Sequence, residues 1–375
     1  MNKKYPFKNL VFQGGGNKTF AYHGALPVLQ QAGILDGIER LAGTSAGALL
    51  ATLLSFRLDI EETLAIYETL DYNKVPGIKS LRELEMTGKS TSLFQEQFTR
   101  LIGNFNALNR VANRYGWYSN DYAQQWLQGT IAQYCQGNGR ATFADFARLG
   151  HKDLHIVVAN VSAHRAEYLN AINTPDVAVA DALVMSQSIP LYFQAIQFDG
   201  RSLGSGDYYV DGGLLDNYPL QLFDDPAFAK GNHWFENGVN WETLGCGLYT
   251  PKDCPRRLRP INNMISYIAN IYESFVEAQF ISFVKNIVDQ RRSIIISDCC
   301  ISSFDFSIRP TQFNKKYRDL VLAGKEAAEA YLETYETPRL PPDLRVSRLM
   351  EEGLDNLREI VKRPSIWREF SPRDE

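Results

Sequence analysis

The amino-acid sequence predicts an α/β protein with a mostly parallel central sheet, and three stretches lead to that prediction. Residues 9–12 form an apolar run followed by a helical pattern over residues 19–32. Residues 38–42 resemble a second strand, which runs directly into a helix of small and aliphatic residues. Residues 154–160 are continuously apolar, which is typical of a parallel strand buried on both faces. Strands that alternate with helices favour an α/β architecture.

Composition excludes several classes of protein. The chain has 375 residues, of which 45% are hydrophobic and 22% are charged, as expected for a globular protein with one large core or two smaller ones. A net charge of -4 gives no basic footprint for nucleic acid. The sequence contains no run of about 18 apolar residues, so it predicts no membrane-spanning helix. The N-terminus leads into a strand rather than into the apolar core of a signal peptide.

The five cysteines show no disulfide framework. Cys299 and Cys300 are adjacent and poorly suited to bridging each other, and no Cys-x-x-Cys pair suggests zinc. We therefore predict reduced thiols and a cytoplasmic protein that is peripheral at membranes. Export by a specialised secretion machine remains an alternative, because such a protein would also lack a signal peptide.

A glycine-rich loop follows the first strand, with the sequence Gln13-Gly14-Gly15-Gly16-Asn17-Lys18. A Walker loop requires glycine immediately before the lysine, where Asn17 stands, and a dinucleotide fingerprint requires glycine where Thr19 stands. Both nucleotide interpretations therefore fail. Outward-facing amides at a helix N-terminus remain, and these suit an oxyanion. Pro27 should bend the helix that follows.

The second strand ends in the Gly-x-Ser-x-Gly pattern Gly43-Thr44-Ser45-Ala46-Gly47. In a nucleophile elbow, the glycines allow strand and helix to approach closely, and the serine hydroxyl is exposed at the helix N-terminus. The pattern alone leaves ordinary packing of small residues as an alternative.

A third motif, Asp211-Gly212-Gly213, ends a strand that begins near Tyr208. Alone, an aspartate before two glycines is often only a turn former. The only histidine after it, His233, lies in a loop-like stretch, so a Ser-Asp-His order is disfavoured. We predict no metal site.

The remaining segments suggest a cap and an appendage. Residues 59–134 are mostly helical and interrupt the series of strands, so they could form a cap over the site. Residues 262–289 form a long helix with one broad apolar face, for which packing against the core is favoured over a membrane surface. We place the main domain at residues 1–340 and a polar helical appendage at residues 341–375.

These motifs together resemble the patatin-like phospholipase family. The matching stretches are Gly14 to Lys18, Gly43 to Gly47, and Asp211 to Gly213 extended by Asn217 and Pro219; softer matches are Ser186 to Pro190, Tyr118 to Trp126, and Phe304 to Ser307 before Gly324-Lys325. The resemblance covers roughly residues 7–335. It implies a three-layer α/β/α patatin-like fold with a central, mostly parallel sheet and helical cap insertions, a Ser-Asp dyad without histidine, and no cofactor. Thr19, in place of the usual glycine, and Pro27 depart from the family pattern.

The resemblance also implies a role for each motif. Ser45 would attack an ester carbonyl while Asp211 accepts its proton, and an acyl-enzyme would form. The oxyanion hole would comprise Gly14, Gly15, Gly16 and Lys18. The amides of Gly15 and Gly16 would stabilise the oxyanion, and Lys18 would shape the loop or add positive charge. Because an aspartate of ordinary pKa is a poor base, we expect Asp211 to be partly buried.

The implied activity is that of a phospholipase A-type or lysophospholipase-type lipid acyl hydrolase. Its partners would be a phospholipid or membrane surface, contacted transiently, and a small-molecule or protein activator acting on residues 59–134 or 262–289. A lipid transacylase on the same fold and a catalytically weak lipid-binding or regulatory protein are the alternatives.

Overall fold

The computed structural model describes residues 5–71, 74–75, 111–229, 234–252, 254, 261 and 264–335. The strands are β1 Asn9–Phe12, β2 Arg40–Thr44, β3 Gly116–Tyr118, β4 Asp153–Asn160, β5 Arg165–Leu169, β6 Leu191–Phe193, β7 Ile196–Phe198, β8 Asp207–Asp211, β9 Phe235–Glu236, β10 Val239–Asn240, β11 Thr243–Tyr249 and β12 Ser293–Ser297. The α-helices are α1 Tyr22–Gln31, α2 Ile34–Gly37, α3 Ala46–Ser55, α4 Ile60–Ala65, α5 Asp121–Tyr134, α6 Phe143–Arg148, α7 Val179–Ser186, α8 Met264–Val284, α9 Ile287–Arg291 and α10 Lys315–Thr334. A 3₁₀ helix at Gly16–Ala21 precedes α1.

The central sheet confirms the predicted fold class. Within the described residues it has eight strands in the order β12-β11-β1-β2-β4-β8-β7, and β5 also pairs with β4. The five strands from β12 to β4 are mutually parallel, whereas β5, β7 and β8 run antiparallel to their neighbours. The sheet is therefore mixed but mostly parallel.

Hydrophobic cores cover both faces of this sheet. Successive side chains of a strand point to opposite faces, so Leu10 and Phe12 enter the larger core while Val11 enters a smaller one. The larger core includes side chains from α1, α3, α7 and α10. The smaller core contains Leu220 and Phe223, with Phe283 of α8 packed against it. The sheet lies between these two layers, as the three-layer prediction requires.

Two glycines allow α1 and α10 to pack at very short range. A Cβ atom at Gly24 would lie 1.8 Å from the carbonyl oxygen of Val321, and one at Gly324 would lie 1.8 Å from that of Ala21. Real side chains do not approach backbone so closely. Glycine at both positions therefore fixes the distance between the helices that cover one face of the sheet. Pro27 lies inside α1, which continues to Gln31.

The prediction that all cysteines are reduced was wrong. Cys254 and Cys300 form a disulfide, with their Cα atoms 5.6 Å apart and a sequence separation of 46. The objection to pairing Cys299 with Cys300 did not apply to a distant partner, which only the tertiary structure brings close. Cys135, Cys246 and Cys299 remain free thiols.

Parts of the predicted cap and the whole predicted appendage lie outside the described residues, the appendage at 341–375 entirely. Of the cap segment, α4 and α5 are described, and β3 pairs with β6 in a separate two-stranded sheet. The long helix predicted over 262–289 is α8 followed by the short α9. None of the helices in the described ranges is long and apolar enough to cross a bilayer.

Candidate active site

Two strands meet end to end along one edge of β4, and this brings two of the sequence motifs together. Strand β5 pairs with residues 156–160 of β4, so the opposite edge of β4 must accommodate both β2 and β8. Strand β2 ends with Thr44 opposite Val157, and β8 ends with Asp211 opposite Val158. Ser45, which follows Thr44, therefore lies beside Asp211, the last residue of β8.

The turn between β2 and α3 has the geometry of a nucleophile elbow. Ser45 has a φ of 54° and a ψ of -128°, a conformation that few non-glycine residues adopt. A Cβ atom at Gly43 would lie 2.5 Å from the carbonyl oxygen of Gly47, and one at Gly47 would lie 2.7 Å from those of Phe12 and Gln13. Both glycines are therefore required for this close approach of strand and helix, as the motif predicted.

Ser45 and Asp211 are directly hydrogen-bonded. The Ser45 hydroxyl donates to Oδ2 of Asp211 over 2.6 Å. The other carboxylate oxygen, Oδ1, accepts from the amide of Gly213 at 2.7 Å and from the hydroxyl of Tyr272 at 3.1 Å. Asp211 is fully buried, whereas the prediction was only for partial burial.

Burial changes the acidity of this carboxyl group. Desolvation raises the pKa of Asp211 to about 7, even though the hydrogen bonds from Ser45, Gly213 and Tyr272 act in the opposite direction. A pKa near the working pH is the most effective value for a general base. Among the described residues, no histidine contacts either Ser45 or Asp211. The Asp211 carboxylate is therefore the candidate general base for the Ser45 hydroxyl.

The segment Ser186 to Pro190, which was a soft match to the family, holds both members of the pair. The Ser45 amide donates to the hydroxyl of Ser186 at 2.9 Å, and that hydroxyl donates to the carbonyl of Val157 at 2.6 Å. The amide of Asp211 donates to the carbonyl of Ser188 at 2.8 Å. This segment therefore fixes the backbone on both sides of the Ser45–Asp211 hydrogen bond.

The glycines of the Asp-Gly-Gly motif are required by close packing. A Cβ atom at Gly212 would lie 2.4 Å from the carbonyl oxygen of Val157, and one at Gly213 would lie 2.3 Å from the hydroxyl of Tyr272. The first glycine allows the turn to pack on β4. The second leaves space for the tyrosine that contacts the carboxylate.

The glycine-rich loop presents two amides that have no acceptor. In the described part of the chain, the amides of Gly15 and Gly16 make no hydrogen bond. Gly16 has a φ of 52° and lines a cavity that also contains Ser45. A Cβ atom at Gly16 would lie 2.2 Å from the carbonyl oxygen of Ser303. Both this lack of space and the positive φ therefore require glycine at this position. Thr19 donates to the carbonyl of Gly16 at 2.8 Å, which closes the loop.

Two residues of the predicted oxyanion hole have other partners. The Gly14 amide donates to the carbonyl of Asn217 at 3.0 Å, so its hydrogen is already committed. The Lys18 ammonium pairs with Asp298 at 2.9 Å, and both side chains are largely buried. Lys18 therefore anchors the loop to the end of β12.

The cavity beside Ser45 has mainly apolar walls. Its apolar lining residues are Phe20, Leu49, Tyr67, Leu70, Val75, Ala123, Val184, Ile189, Phe193 and Phe306. Tyr67, Leu70, Val75 and Ala123 come from the predicted cap segment. A larger groove of about 1270 Å³ lies between β5, the 215–228 segment and α8, but it is lined by neither Ser45 nor Asp211. The candidate site is therefore the apolar cavity.

Sequence reasoning missed Tyr272 and Gln279, which α8 brings to this site. Gln279 donates to the carbonyl of Gly213 at 2.9 Å and accepts from the amide of Asn217 at 2.8 Å. Both residues lie on the inward face of a helix that was predicted only to pack. The sequence indicated these roles only weakly, through the presence of a tyrosine and a glutamine within the apolar face of this helix.

A Gly-x-Ser-x-Gly turn, a strand-end aspartate and a glycine-rich loop on a three-layer α/β sheet are the features expected of a patatin-like lipid hydrolase. The family model for patatin-like phospholipase matches residues 10–224, more than half of the chain. The protein belongs to this family, which confirms the resemblance found in its sequence.

Relatives of this chain are found in viruses and bacteria. An uncharacterised protein of Acanthamoeba polyphaga mimivirus is 25% identical over 80% of this chain and 86% of its own length. The uncharacterised protein YqhO of Bacillus subtilis is 25% identical over 87% of this chain and 98% of its own length. A protein of Invertebrate iridescent virus 6 named "probable lipid hydrolase" is 22% identical over 59% of this chain and 64% of its own length.

Among solved structures, the fold is similar to that of VipD from Legionella pneumophila. The TM-score is 0.52 at 19% sequence identity, and the match covers 94% of this chain and 71% of VipD. At this identity the similarity establishes the fold alone.

Proposed function

We propose that this protein is a serine lipid acyl hydrolase of the phospholipase A type, which cleaves fatty acyl esters of membrane phospholipids. The observation that carries the proposal is the buried hydrogen bond of 2.6 Å between the Ser45 hydroxyl and the Asp211 carboxylate. Ser45 lines an apolar cavity, and membership of the patatin-like phospholipase family supports a lipid ester as the substrate.

The reaction has two acyl-transfer steps. As Ser45 attacks the ester carbonyl, Asp211 accepts the hydroxyl proton, and the amides of Gly15 and Gly16 stabilise the oxyanion of the tetrahedral intermediate. The intermediate collapses to an acyl-serine, and Asp211 returns the proton to the departing lysophospholipid alcohol. Asp211 then deprotonates a water molecule that attacks the acyl-serine. Fatty acid leaves, and Ser45 regains its proton.

The positions of the residues suit this sequence of steps. Asp211 has a pKa of about 7 because it is buried, so it can both remove and return a proton near neutral pH. Ser45 immediately precedes α3, whose N-terminus favours negative charge on the serine oxygen. The apolar cavity offers a place for the acyl chain beside the ester.

Transient contact with a membrane surface is part of the proposal. Met264, Tyr267, Ile271 and Phe275 lie along one face of α8, and each is between 38% and 60% exposed. Next to this stripe, Ile268 and Tyr272 of α8 pack with Ile189 and Phe193, which line the cavity. An exposed apolar stripe on a helix that packs against two residues of the cavity wall suits a lipid surface. The helix contains no Lys or Arg, so electrostatic attraction to anionic lipid is not required.

Regulation and acceptor choice complete the proposal. An activator could act on the cap segments α4 and α5 or on α8, since each lies close to the cavity or to Asp211. We place the protein in the cytoplasm, peripheral at membranes, with export as an effector as the alternative. The Cys254–Cys300 disulfide favours the alternative, because disulfides persist mainly in oxidising compartments. A transacylase would follow the same steps but pass the acyl group to an alcohol instead of water.

The test compares the wild-type protein with Ser45→Ala and Asp211→Asn on mixed phospholipid vesicles and on a soluble short-chain ester. We expect both variants to lose at least about 10³-fold in fatty acid release, since dyad members act as a unit. Asp199→Asn is the matched control, because Asp199 is an exposed carboxylate in a turn between β7 and β8.

The products separate the remaining alternatives. Free fatty acid identifies a hydrolase, whereas a new ester formed with an added acceptor alcohol identifies a transacylase. Equal background release from all four proteins, with and without added cell extract, would contradict the proposal and leave a lipid-binding protein.

A further inference from the structure

The helix α8 lies C-terminal to the residues that the family model matches, yet it contacts the candidate catalytic carboxylate. Its inward face carries Tyr272, which is only 7% exposed. The ring packs edge-on against Phe304, with centroids 6.0 Å apart, and joins a buried cluster with Tyr192 and Phe193. The ring is therefore held firmly, and its hydroxyl has a fixed position.

The hydroxyl completes an asymmetric set of contacts around Asp211. Oδ1 accepts from both the Gly213 amide and the Tyr272 hydroxyl, whereas Oδ2 faces the Ser45 hydroxyl. Two donors on one oxygen fix the rotation of the carboxylate. They also leave the other oxygen directed at the nucleophile.

We propose that Tyr272 is a positioning residue for this site, which orients the Asp211 carboxylate toward Ser45 and stabilises its ionised form. The inference rests on the proposed function only in taking Asp211 as the base for Ser45. A carboxylate can only accept hydrogen bonds, so the tyrosine must be the donor. Burial, together with the adjacent carboxylate of Asp211, raises the pKa of Tyr272 well above its usual value, so its proton is retained.

Other contacts of α8 hold this arrangement in place. Gln279 donates to the carbonyl of Gly213, so the same helix fixes the turn from a second point. The absence of a side chain at Gly213 is what allows the hydroxyl to approach, because a Cβ atom there would lie 2.3 Å from it. The groups that act on Asp211 are Ser45, Gly213 and Tyr272, and the further charge that acts on Tyr272 is Glu273. Glu273 itself accepts from Ser302 and Ser303.

The test removes only the hydroxyl, with Tyr272→Phe. Tyr331→Phe is the matched control, because Tyr331 also donates a hydroxyl hydrogen bond, to the carbonyl of Arg291 at 3.1 Å, but lies on α10 and does not line the cavity. The rate at which a fluorophosphonate labels Ser45 is measured from pH 5 to pH 9, and hydrolysis of a soluble short-chain ester is followed in parallel. Labelling requires an activated serine but no phospholipid.

In Tyr272→Phe we expect the midpoint of the labelling profile to move up by about one pH unit, because the ionised carboxylate loses one hydrogen bond. Labelling would then be about tenfold slower at acidic pH and would approach the wild-type rate at high pH. For the soluble ester, kcat should fall while KM stays unchanged. Tyr331→Phe should match the wild type throughout.

A second variant tests the same role without removing the hydroxyl. Incorporation of 3-fluorotyrosine at position 272 makes the phenol a stronger donor and should move the midpoint downward. This variant also serves if Tyr272→Phe fails to fold. Wild-type midpoints and rates in folded Tyr272→Phe, or an unmoved midpoint with 3-fluorotyrosine, would overturn the inference.

The two proposals fail separately. If the wild-type protein releases no fatty acid from phospholipid but Ser45 still labels with the expected shift, the substrate is wrong and the role of Tyr272 stands. If phospholipid is hydrolysed through Ser45 and Asp211 but the shift is missing, only the role of Tyr272 is lost.

Discussion

At the scale of single residues, the candidate site combines a strained serine with a buried carboxylate. Ser45 adopts a positive φ that costs conformational free energy, and Asp211 is buried without a cationic partner among the described residues. Each feature is unfavourable for stability and suits the proposed acyl transfer. Hydrogen bonds that the Ser45 and Asp211 amides donate to Ser186 and Ser188, and one that Asp211 accepts from Tyr272, hold both residues in place.

The raised pKa of Asp211 predicts a stability effect as well as a catalytic one. A carboxyl group whose pKa is near 4 when unfolded and about 7 when folded binds its proton more tightly in the folded state. Its contribution to stability is therefore full below pH 4 and is lost as pH rises through 7. We expect Asp211→Asn, which does not titrate, to gain stability relative to the wild type across this range, on the order of a few kcal/mol.

Urea unfolding of both proteins at pH 4, 5.5, 7 and 8 measures this difference. Asp199→Asn is again the control, because Asp199 is exposed. A gap between Asp211→Asn and the wild type that stays constant from pH 4 to pH 8 would contradict the raised pKa.

At the scale of elements, strand order explains how distant motifs meet. Strands β2 and β8 reach the same edge of β4 from opposite directions, and their ends are at adjacent positions, Val157 and Val158. Helix α8 then approaches the Asp211 turn from outside the sheet. The site is therefore assembled at a junction of elements that are more than two hundred residues apart in sequence, from Ser45 to Tyr272.

Two glycine-to-alanine substitutions, one where α1 and α10 cross and one in α5, should have opposite effects on stability. Gly324→Ala should destabilise the protein by about 1–3 kcal/mol, because its Cβ atom would lie 1.8 Å from the carbonyl oxygen of Ala21. Gly129→Ala, within α5 and with no atom within 4 Å of its Cβ position, should stabilise the protein by about 0.5–1 kcal/mol. Urea midpoints of the two variants provide the comparison, and a neutral Gly324→Ala would show that the helices can separate without cost.

At the scale of the whole molecule, the disulfide connects the end of the sheet to a distant part of the chain. Cys300 follows Asp298, the partner of Lys18, so the bridge lies close in sequence to the anchor of the glycine-rich loop. For a loop of 46 residues, the chain-entropy treatment of cross-links gives a stabilisation of about 4 kcal/mol.

Reduction of this bridge should therefore lower the free energy of unfolding by up to about 4 kcal/mol. Thermal unfolding with and without dithiothreitol tests this for the wild type, for Cys299→Ser and for the double variant Cys254→Ser with Cys300→Ser. The wild type and Cys299→Ser should respond to the reductant, and the double variant should not. A wild type that is equally stable in both conditions would show that the bridge contributes nothing.

The sequence alone determined the α/β class, the elbow at Ser45, the strand-end position of Asp211 and the family. These features depend on short motifs and on the order of strands and helices, which local pattern reveals. The tertiary structure decided which groups have partners. In the folded protein, the Gly14 amide donates a hydrogen bond to the carbonyl of Asn217, and Lys18 forms a salt bridge with Asp298. Cys254 and Cys300 form a disulfide.

Tyr272 shows most directly why the rest required the structure. In the sequence it is one aromatic residue among many in an apolar helix, and its spacing predicts only burial. Its hydrogen bond to Asp211 spans 61 residues and depends on where α8 packs against the Asp211 turn. Local periodicity specifies which face of a helix is buried, but the partner of a buried hydroxyl is set by contacts between elements far apart in the chain.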